Sequence, residues 1–347
     1  MPRRIPPAEL VDLATAIVTA IGSEPDEARI VADHLVEANL KGHDSHGVVM
    51  LPAYAKHAAN GGLVPNIPLR MLEDGGAFLR FTGDMGYGQR VGLELMDVLI
   101  ARARETGAVV ATLRETHHLC RIGAYAERAA DAGLVSVHVV NVTGHAANVA
   151  PHRGAEPRFG TNPYTIAFPG TADSPPVLID LATSAIALGK AVVAANRGEL
   201  VAPGVLIDSA GRPTTDPKVL FPKGDAAPGA LLPFALHKGY ALQFGAELLA
   251  GVLAGGGAGN ASTRDRETIV NSMFVVVLDP ARFVDGDWLE TELDGLRAYA
   301  VASRPADPAL PVLVPGDPER AASSERSVEG IPVDGTTWAK LQALAGA

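Results

Sequence analysis

From Gly75 onward, short runs rich in β-branched residues alternate with helical ones, and this alternation limits the fold more than any other feature of the chain. The runs at 77–81 (AFLRF), 108–113 (AVVATL), 134–142 (LVSVHVVNV) and 177–181 (VLIDL) read as strands. Between them, residues 91–107 and 121–133 carry helical spacing. Each closes on a glycine, Gly107 and Gly133, where a helix end favours a residue free to turn left-handed. The texture is α/β, and alternation by itself leads to a parallel sheet.

The flanks differ. Pro6 and Pro7 precede the periodic set Leu10, Leu13, Ile17 and Ile21. Ser23 with Asp26 then reads as a capping box opening a second helix, which buries Ile30, Leu35 and Leu40 and stops at Gly42. GHDSHG at 42–47 connects it to a helix-like run from Val48 to Ala59, and a polar turn between helices is well placed to face a cleft. Residues 196–236 hold many Pro and Gly without clear periods and are expected to form an irregular excursion. A helix follows at 237–255, then a flexible loop at 257–262, a strand at 273–280, and helices near 288–302 and 336–345.

At 347 residues the chain exceeds the size at which one core keeps growing, so more than one lobe is expected. A net charge of −10 argues against nucleic acid, whose phosphates need a basic face. The N-terminus lacks a charged-then-apolar leader and no apolar run is long enough to span a bilayer, which predicts a soluble, cytoplasmic protein with no membrane partner. Cys120 is the one cysteine, so neither an internal disulfide nor a thiolate metal cage is expected. Redox chemistry would need a cofactor.

Several words carry possible chemistry. GDMGYGQRVG at 83–92 places Gly86, Gly88 and Gly92 one residue too wide for the dinucleotide fingerprint, so a tight turn is favoured over a pyrophosphate cradle. Ten histidines include two short clusters, His43 with His46 and His117 with His118. The second pair reads either as satisfied histidines at a strand-to-helix junction or as a general acid/base, since imidazole titrates near neutrality. A zinc site at His43 and His46 lacks a recognisable third ligand, and no metal is predicted. Ser45 beside His46 does not make a hydrolase, because no G-x-S-x-G elbow occurs. Thr161, Asn162, Asp180 and Ser184 are polar where a packed strand would be apolar, so they require hydrogen-bond partners or a ligand. Lys238, in the first turn of a helix, reads as solvated or as the partner of a bound anion.

Together these words resemble a known family. GHDSHGVVMLPAY, HHLCRIGAYAERAADAGL, FGTNPYTIAFP, IDLATSAIALGK, GRPTTDP and HKGYAL occur in this order in the malate/L-lactate dehydrogenase family of NAD(P)-dependent oxidoreductases, and the wording is most similar to its hydroxycarboxylate dehydrogenase B branch. The resemblance replaces the parallel sheet with a non-Rossmann α/β fold, a mixed and largely antiparallel sheet flanked by helices. It adds a helical domain built from both termini, residues 1–75 with 285–347, around an NAD(P)-binding domain at 76–284. It also implies a homodimer that binds NAD or NADP and a small 2-oxo or 2-hydroxy acid.

The same resemblance implies site roles. His118 matches the proton donor/acceptor, Ser45 and His46 the substrate-side pair, and Tyr54 a tyrosine on the helix behind. Thr161, Asn162, Asp180, Leu181, Ala182 and Lys238 fall in cofactor words, and Gly316 and Glu319 in a C-terminal segment that reaches back to the nucleotide. Met50 stands where many members carry a carboxylate-gripping arginine. Arg121 is expected to supply that anion clamp instead, leaving Met50 as an apolar wall. The implied reaction is hydride transfer between NAD(P)H and a 2-oxo acid. Reduction of a cyclic or N-methyl imine and an inactive nucleotide-binding dimer are the alternatives.

Overall fold

Branched side chains make the centre of the molecule a sheet. The computed structural model describes residues 3–224, 226–264 and 266–346. Its first half runs β1 (Arg3–Ile5), α1 (Pro7–Ile21), α2 (Pro25–Leu40), α3 (Leu51–Ala59), β2 (Arg70–Asp74), β3 (Phe78–Thr82), α4 (Gly88–Thr106), β4 (Ala108–Thr116), α5 (Gly123–Asp131), β5 (Val135–Thr143), β6 (Tyr164–Phe168) and β7 (Val177–Leu181). The second half runs α6 (Leu188–Arg197), β8 (Leu206–Ile207), β9 (Pro213–Thr214), β10 (Ala230–Leu231), α7 (His237–Ala246), β11 (Val270–Leu278), α8 (Gly286–Val301), α9 (Asp317–Glu329), β12 (Ile331–Val333) and α10 (Gly335–Ala345).

Seven strands form one sheet in the order β2-β3-β4-β11-β5-β6-β7. The pair β3–β4 is parallel and the other five neighbouring pairs are antiparallel, so the sheet is mixed and largely antiparallel, as the resemblance implied. The physical reason is the position of β11. Helices α4 and α5 do return the chain so that β3, β4 and β5 run the same way, which is what alternation dictates. A late strand then inserts between β4 and β5, antiparallel to both.

Two main cores result. Leu79, Phe81, Val91, Leu95, Leu99, Val109, Val140 and Val275 are buried where α4 meets the sheet. Leu10, Ile17, Leu35, Leu51 and Tyr54 form a second core with Ile331, Val333, Trp338 and Leu341, so the two ends of the chain build one helical layer. The pairing of β1 with β12 ties them together. Helix α8 buries no residue. It lies against the turn before β7, where Thr171 Oγ1 donates to Asp294 and Arg297 to the Pro175 carbonyl.

Three local readings change. Helix α2 begins at Pro25 with Glu24 as its cap, because proline presets the first helical turn, and the Ser23 hydroxyl donates to Glu27 Oε2 at 2.7 Å instead of capping with Asp26. The excursion at 196–236 contains a small sheet in the order β10-β8-β9, and its strands are two residues long, too short to show a period. Helix α7 continues as a π-helix over Glu247–Leu253. There the buried Glu247 accepts hydrogen bonds from Asn141, Asn162 and the Gly259 backbone, so the loop at 257–262 is tied to the helix it follows.

Candidate active site

The connection between α2 and α3 is shaped by one asparagine. Asn39 Oδ1 accepts the Val48 amide at 2.9 Å while its Nδ2 donates to Asp44 at 2.8 Å, and Arg326 of α9 donates to Asp44 from the other side. Residue 47 must be glycine, because a Cβ there would lie 2.0 Å from Asn39 Oδ1. The loop therefore holds Ser45 and His46 on a fixed turn. Ser45 Oγ lies 3.0 Å from His46 Nδ1, and the His46 carbonyl accepts the Cys120 thiol.

The opposing wall is the strand-to-helix junction after β4. His118 meets His46 face to face, with ring centroids 5.7 Å apart and 27° between planes. Tyr54 Oη of α3 and His118 Nδ1 share a hydrogen bond of 2.8 Å, and Gln89 Nε2 donates to Tyr54 Oη at 2.8 Å. His117 is fully buried and shares one proton with His57 across 2.9 Å, so it is the satisfied histidine of the pair. His118 and His46 each keep an edge open. Burial pushes both down, His46 to about 4 and His118 well below the usual imidazole range, with neighbouring histidines adding to the effect. Both rings are neutral at rest.

The glycines at 86–92 serve close packing. A Cβ on Gly88 would lie 2.4 Å from the His118 carbonyl oxygen, and one on Gly92 would meet the Tyr125 ring at 2.4 Å. Their absence lets α4 lie directly on the histidine junction. Gly88 and Gly92 thus lie within α4 and serve helix packing, a role apart from both the tight turn and the pyrophosphate cradle.

The expected cofactor residues separate into two groups. Pro315 accepts the Leu178 amide, Gly316 adopts φ 97° at the start of α9, and His43 Nε2 donates to Glu319 at 3.3 Å, so the C-terminal word reaches both β7 and the Ser45–His46 loop. Gly316, Glu319, Leu178 and Ala124 line a groove of about 1010 Å³ between α2, α5 and α9. Leu181 is exposed and Ala182 half-buried where β7 ends. Thr161 sits beside them, its carbonyl accepting the Thr183 amide and hydroxyl. By contrast, Asn162 is fully buried and spends its amide on Val142, Glu247 and the Gln243 carbonyl. Asp180 accepts Thr165 and the Gly123 amide, fixing the start of α5. Lys238 is exposed in the first turn of α7.

Arg121 does not take the position of an anion clamp. Its side chain is 1% exposed, its Nη2 is held by Glu127, and Glu37 lies 3.6 Å away. The two carboxylates meet its charge inside the protein through Nη2, while Nε and Nη1 are buried without a hydrogen-bond partner. Met50 is half-buried and packs on the terminal helical core. Positive potential reaches Ser45 from another source. The first turn of α6 abuts it, so closely that a Cβ on Gly189 would lie 2.0 Å from Ser45 Cβ, and no side chain caps that helix start. Gln89, Asn39 and Gly189 were not singled out by the sequence, since their partners lie elsewhere in the chain. Among the described residues no group of three or more metal-binding side chains occurs, and no helix is long and apolar enough to cross a membrane.

A histidine with one nitrogen anchored, facing a Ser–His pair, is an arrangement able to exchange a proton with an oxygen or nitrogen placed between them. The model of the family described as malate/L-lactate dehydrogenase matches residues 5–342, and the chain belongs to that family of oxidoreductases acting on the CH–OH group of 2-hydroxy acids. It is 41% identical over 325 residues to hydroxycarboxylate dehydrogenase B of Escherichia coli K12, covering 93% of this chain and 88% of the other. It is 40% identical over 333 residues to L-lactate dehydrogenase of Cupriavidus necator, covering 96% and 94%. A solved dehydrogenase structure from Sinorhizobium meliloti superposes with a TM-score of 0.88 at 32% identity, covering 99% of this chain and 98% of that one.

Proposed function

We propose that the protein interconverts a 2-oxo acid and its 2-hydroxy acid with NADH or NADPH, and that His118 is its acid/base. The observation that carries this is the Tyr54–His118 hydrogen bond at 2.8 Å, which anchors Nδ1 and leaves Nε2 as the free nitrogen opposite His46. The fit to a pyridine nucleotide rests on the end of β7, where Leu181 is exposed and Ala182 half-buried beside Thr161, and on Glu319, which meets His43 next to Ser45 and His46. Gly316, Glu319, Leu181, Ala182 and Thr161 would hold the nucleotide, which when bound supplies or accepts a hydride.

The chain itself orients the substrate and moves the proton. Ser45 and His46 hold the substrate's carboxylate or carbonyl by hydrogen bonds, with the uncapped start of α6 favouring the negative end. In oxidation the hydroxyl proton passes to Nε2 of a neutral His118 whose own proton lies on Nδ1 and is directed to Tyr54 Oη. In reduction it returns that proton to the alkoxide, and the arriving substrate anion raises its proton affinity beforehand. Met50 leaves an apolar wall suited to a larger side chain. We also place a second copy of this chain on α7 and its π extension, where Leu236, Leu242, Phe244, Leu248, Val252 and Leu253 are exposed together.

The test is loss of NADH or NADPH absorbance against pyruvate, phenylpyruvate, 2-oxoglutarate and oxaloacetate, each with and without methylamine, for the wild type and His118→Ala. Turnover without amine that falls at least about a hundredfold in the variant, with nucleotide affinity retained, is the expected result. Turnover confined to the amine-containing reactions would make the protein an imine reductase, and unchanged turnover in the variant would remove His118 from the reaction.

A further inference from the structure

We infer that Gln89 sets the polarity of the Tyr54–His118 hydrogen-bond chain, and so determines which nitrogen of His118 carries a proton. It is a positioning residue acting through Tyr54, and the inference rests on His118 being the acid/base.

The argument begins with counting protons. A phenol has one hydrogen to give. Gln89 Nε2 donates to Tyr54 Oη, so the tyrosine's own hydrogen is directed to His118 Nδ1. An imidazole nitrogen that accepts is unprotonated, which leaves the proton of the neutral ring on Nε2. Tyr54 Oη makes these two hydrogen bonds and no other among the described residues, so with the NH₂ end of the amide on one side the phenolic hydrogen has no acceptor besides Nδ1.

Protonation of His118 reverses the requirement. Nδ1 then becomes a donor to Tyr54 Oη, and the phenolic hydrogen must find another acceptor. With Gln89 Nε2 in place there is none along this chain, so the resting amide disfavours the imidazolium. The acceptor that would serve is Gln89 Oε1. It is buried and has no hydrogen-bond partner, which is an unfavourable state for an amide carbonyl. Turning the amide over offers Oε1 to the Tyr54 hydroxyl and completes the reversed chain, from Nδ1–H to Oη and from Oη–H to Oε1. Glutamine has both a donor and an acceptor end, so it can complete the chain in either protonation state of His118. Gln89 is fully buried, and the glycines at 88 and 92 bring α4 close enough for it to reach.

Two variants test this, with Gln89→Glu supplying an acceptor alone and Gln89→Met supplying neither end. The ring ¹⁵N shifts of His118, assigned against His118→Ala, report the tautomer and charge of the free protein without any turnover. The wild type is expected to show the Nε2–H neutral ring at pH 7. Gln89→Glu is expected to raise the proton affinity of the ring at least about tenfold, and Gln89→Met to give a mixture of tautomers. In kinetics, Gln89→Glu should move the pH limb of kcat by the same factor while KM for the nucleotide holds. Unaltered His118 shifts in both variants overturn the inference. Altered shifts with an unmoved kcat limb keep Gln89 as the positioning residue and instead refute His118 as the proton-transfer group.

Discussion

Lowering the pH from about 7 to about 5 should destabilise this protein through its buried histidines, before its carboxylates titrate. His34, His117 and His138 are at most 4% exposed, and burial pushes them down to about 4, about 3 and about 3. In the unfolded chain each titrates at about 6.5. Between these values the unfolded state binds the proton and the folded state does not, so stability is full above about 6.5 and falls as the pH drops toward the folded values. At about pH 5 the gap of roughly 1.5 units corresponds to about 2 kcal/mol for each histidine, and about 6 kcal/mol for the three. That is comparable with the whole stability of many domains. Urea unfolding followed by circular dichroism at about pH 7, 6 and 5 measures it. With a slope near 3 kcal/mol per molar urea, the midpoint should fall by about 2 M. The Asp and Glu side chains that are held low contribute below this window and cannot imitate the effect. A midpoint that holds constant from about pH 7 to about pH 5 would refute the reasoning, because it would mean that these rings protonate in place without cost.

Two further outcomes follow from packing. Gly47→Ala puts a Cβ where Asn39 Oδ1 now lies, so the Val48 and Asp44 hydrogen bonds break and the Ser45–His46 turn moves; turnover should drop at least about tenfold with a stability loss of about 1–3 kcal/mol, read by steady-state kinetics alongside thermal unfolding. A charge at Leu248 or Val252, each half-exposed or more on the π extension of α7, should leave the fold's circular dichroism intact but convert a dimer to monomers in light scattering, and an unchanged mass would move the subunit contact elsewhere.

Much of the architecture is legible in the sequence where a local period meets a glycine or proline stop. Helices α1, α4 and α5 and the strands β3, β4, β5 and β7 lie within a few residues of where periodicity puts them. The misses have physical causes. Helix α9 is polar nearly all round, DPERAASSERSVE, and buries no residue, so it carries no apolar stripe to be read. Helix α6 follows β7 within a largely apolar run that has no capping residue. The neighbours of β11 depend on a pairing some 150 residues apart, which no local pattern encodes. In the site, Ser45, His46, Tyr54 and His118 are visible because they sit in distinctive words. The role of Arg121 is decided by Glu127 and Glu37, carboxylates whose approach only the fold reveals. Asn162 is polar where a packed strand would be apolar, and the partners it needs include a buried glutamate on a distant helix.

The pairing of β1 with β12 bears on how the molecule is made. Strand β12 follows α9, and α9 supplies Arg326 to the loop that carries Ser45 and His46. During synthesis that loop emerges early and waits, without its anchor, until residues 317–333 have left the ribosome. The turn that carries the Ser–His pair is thus completed only when the last tenth of the chain closes back on its first helices.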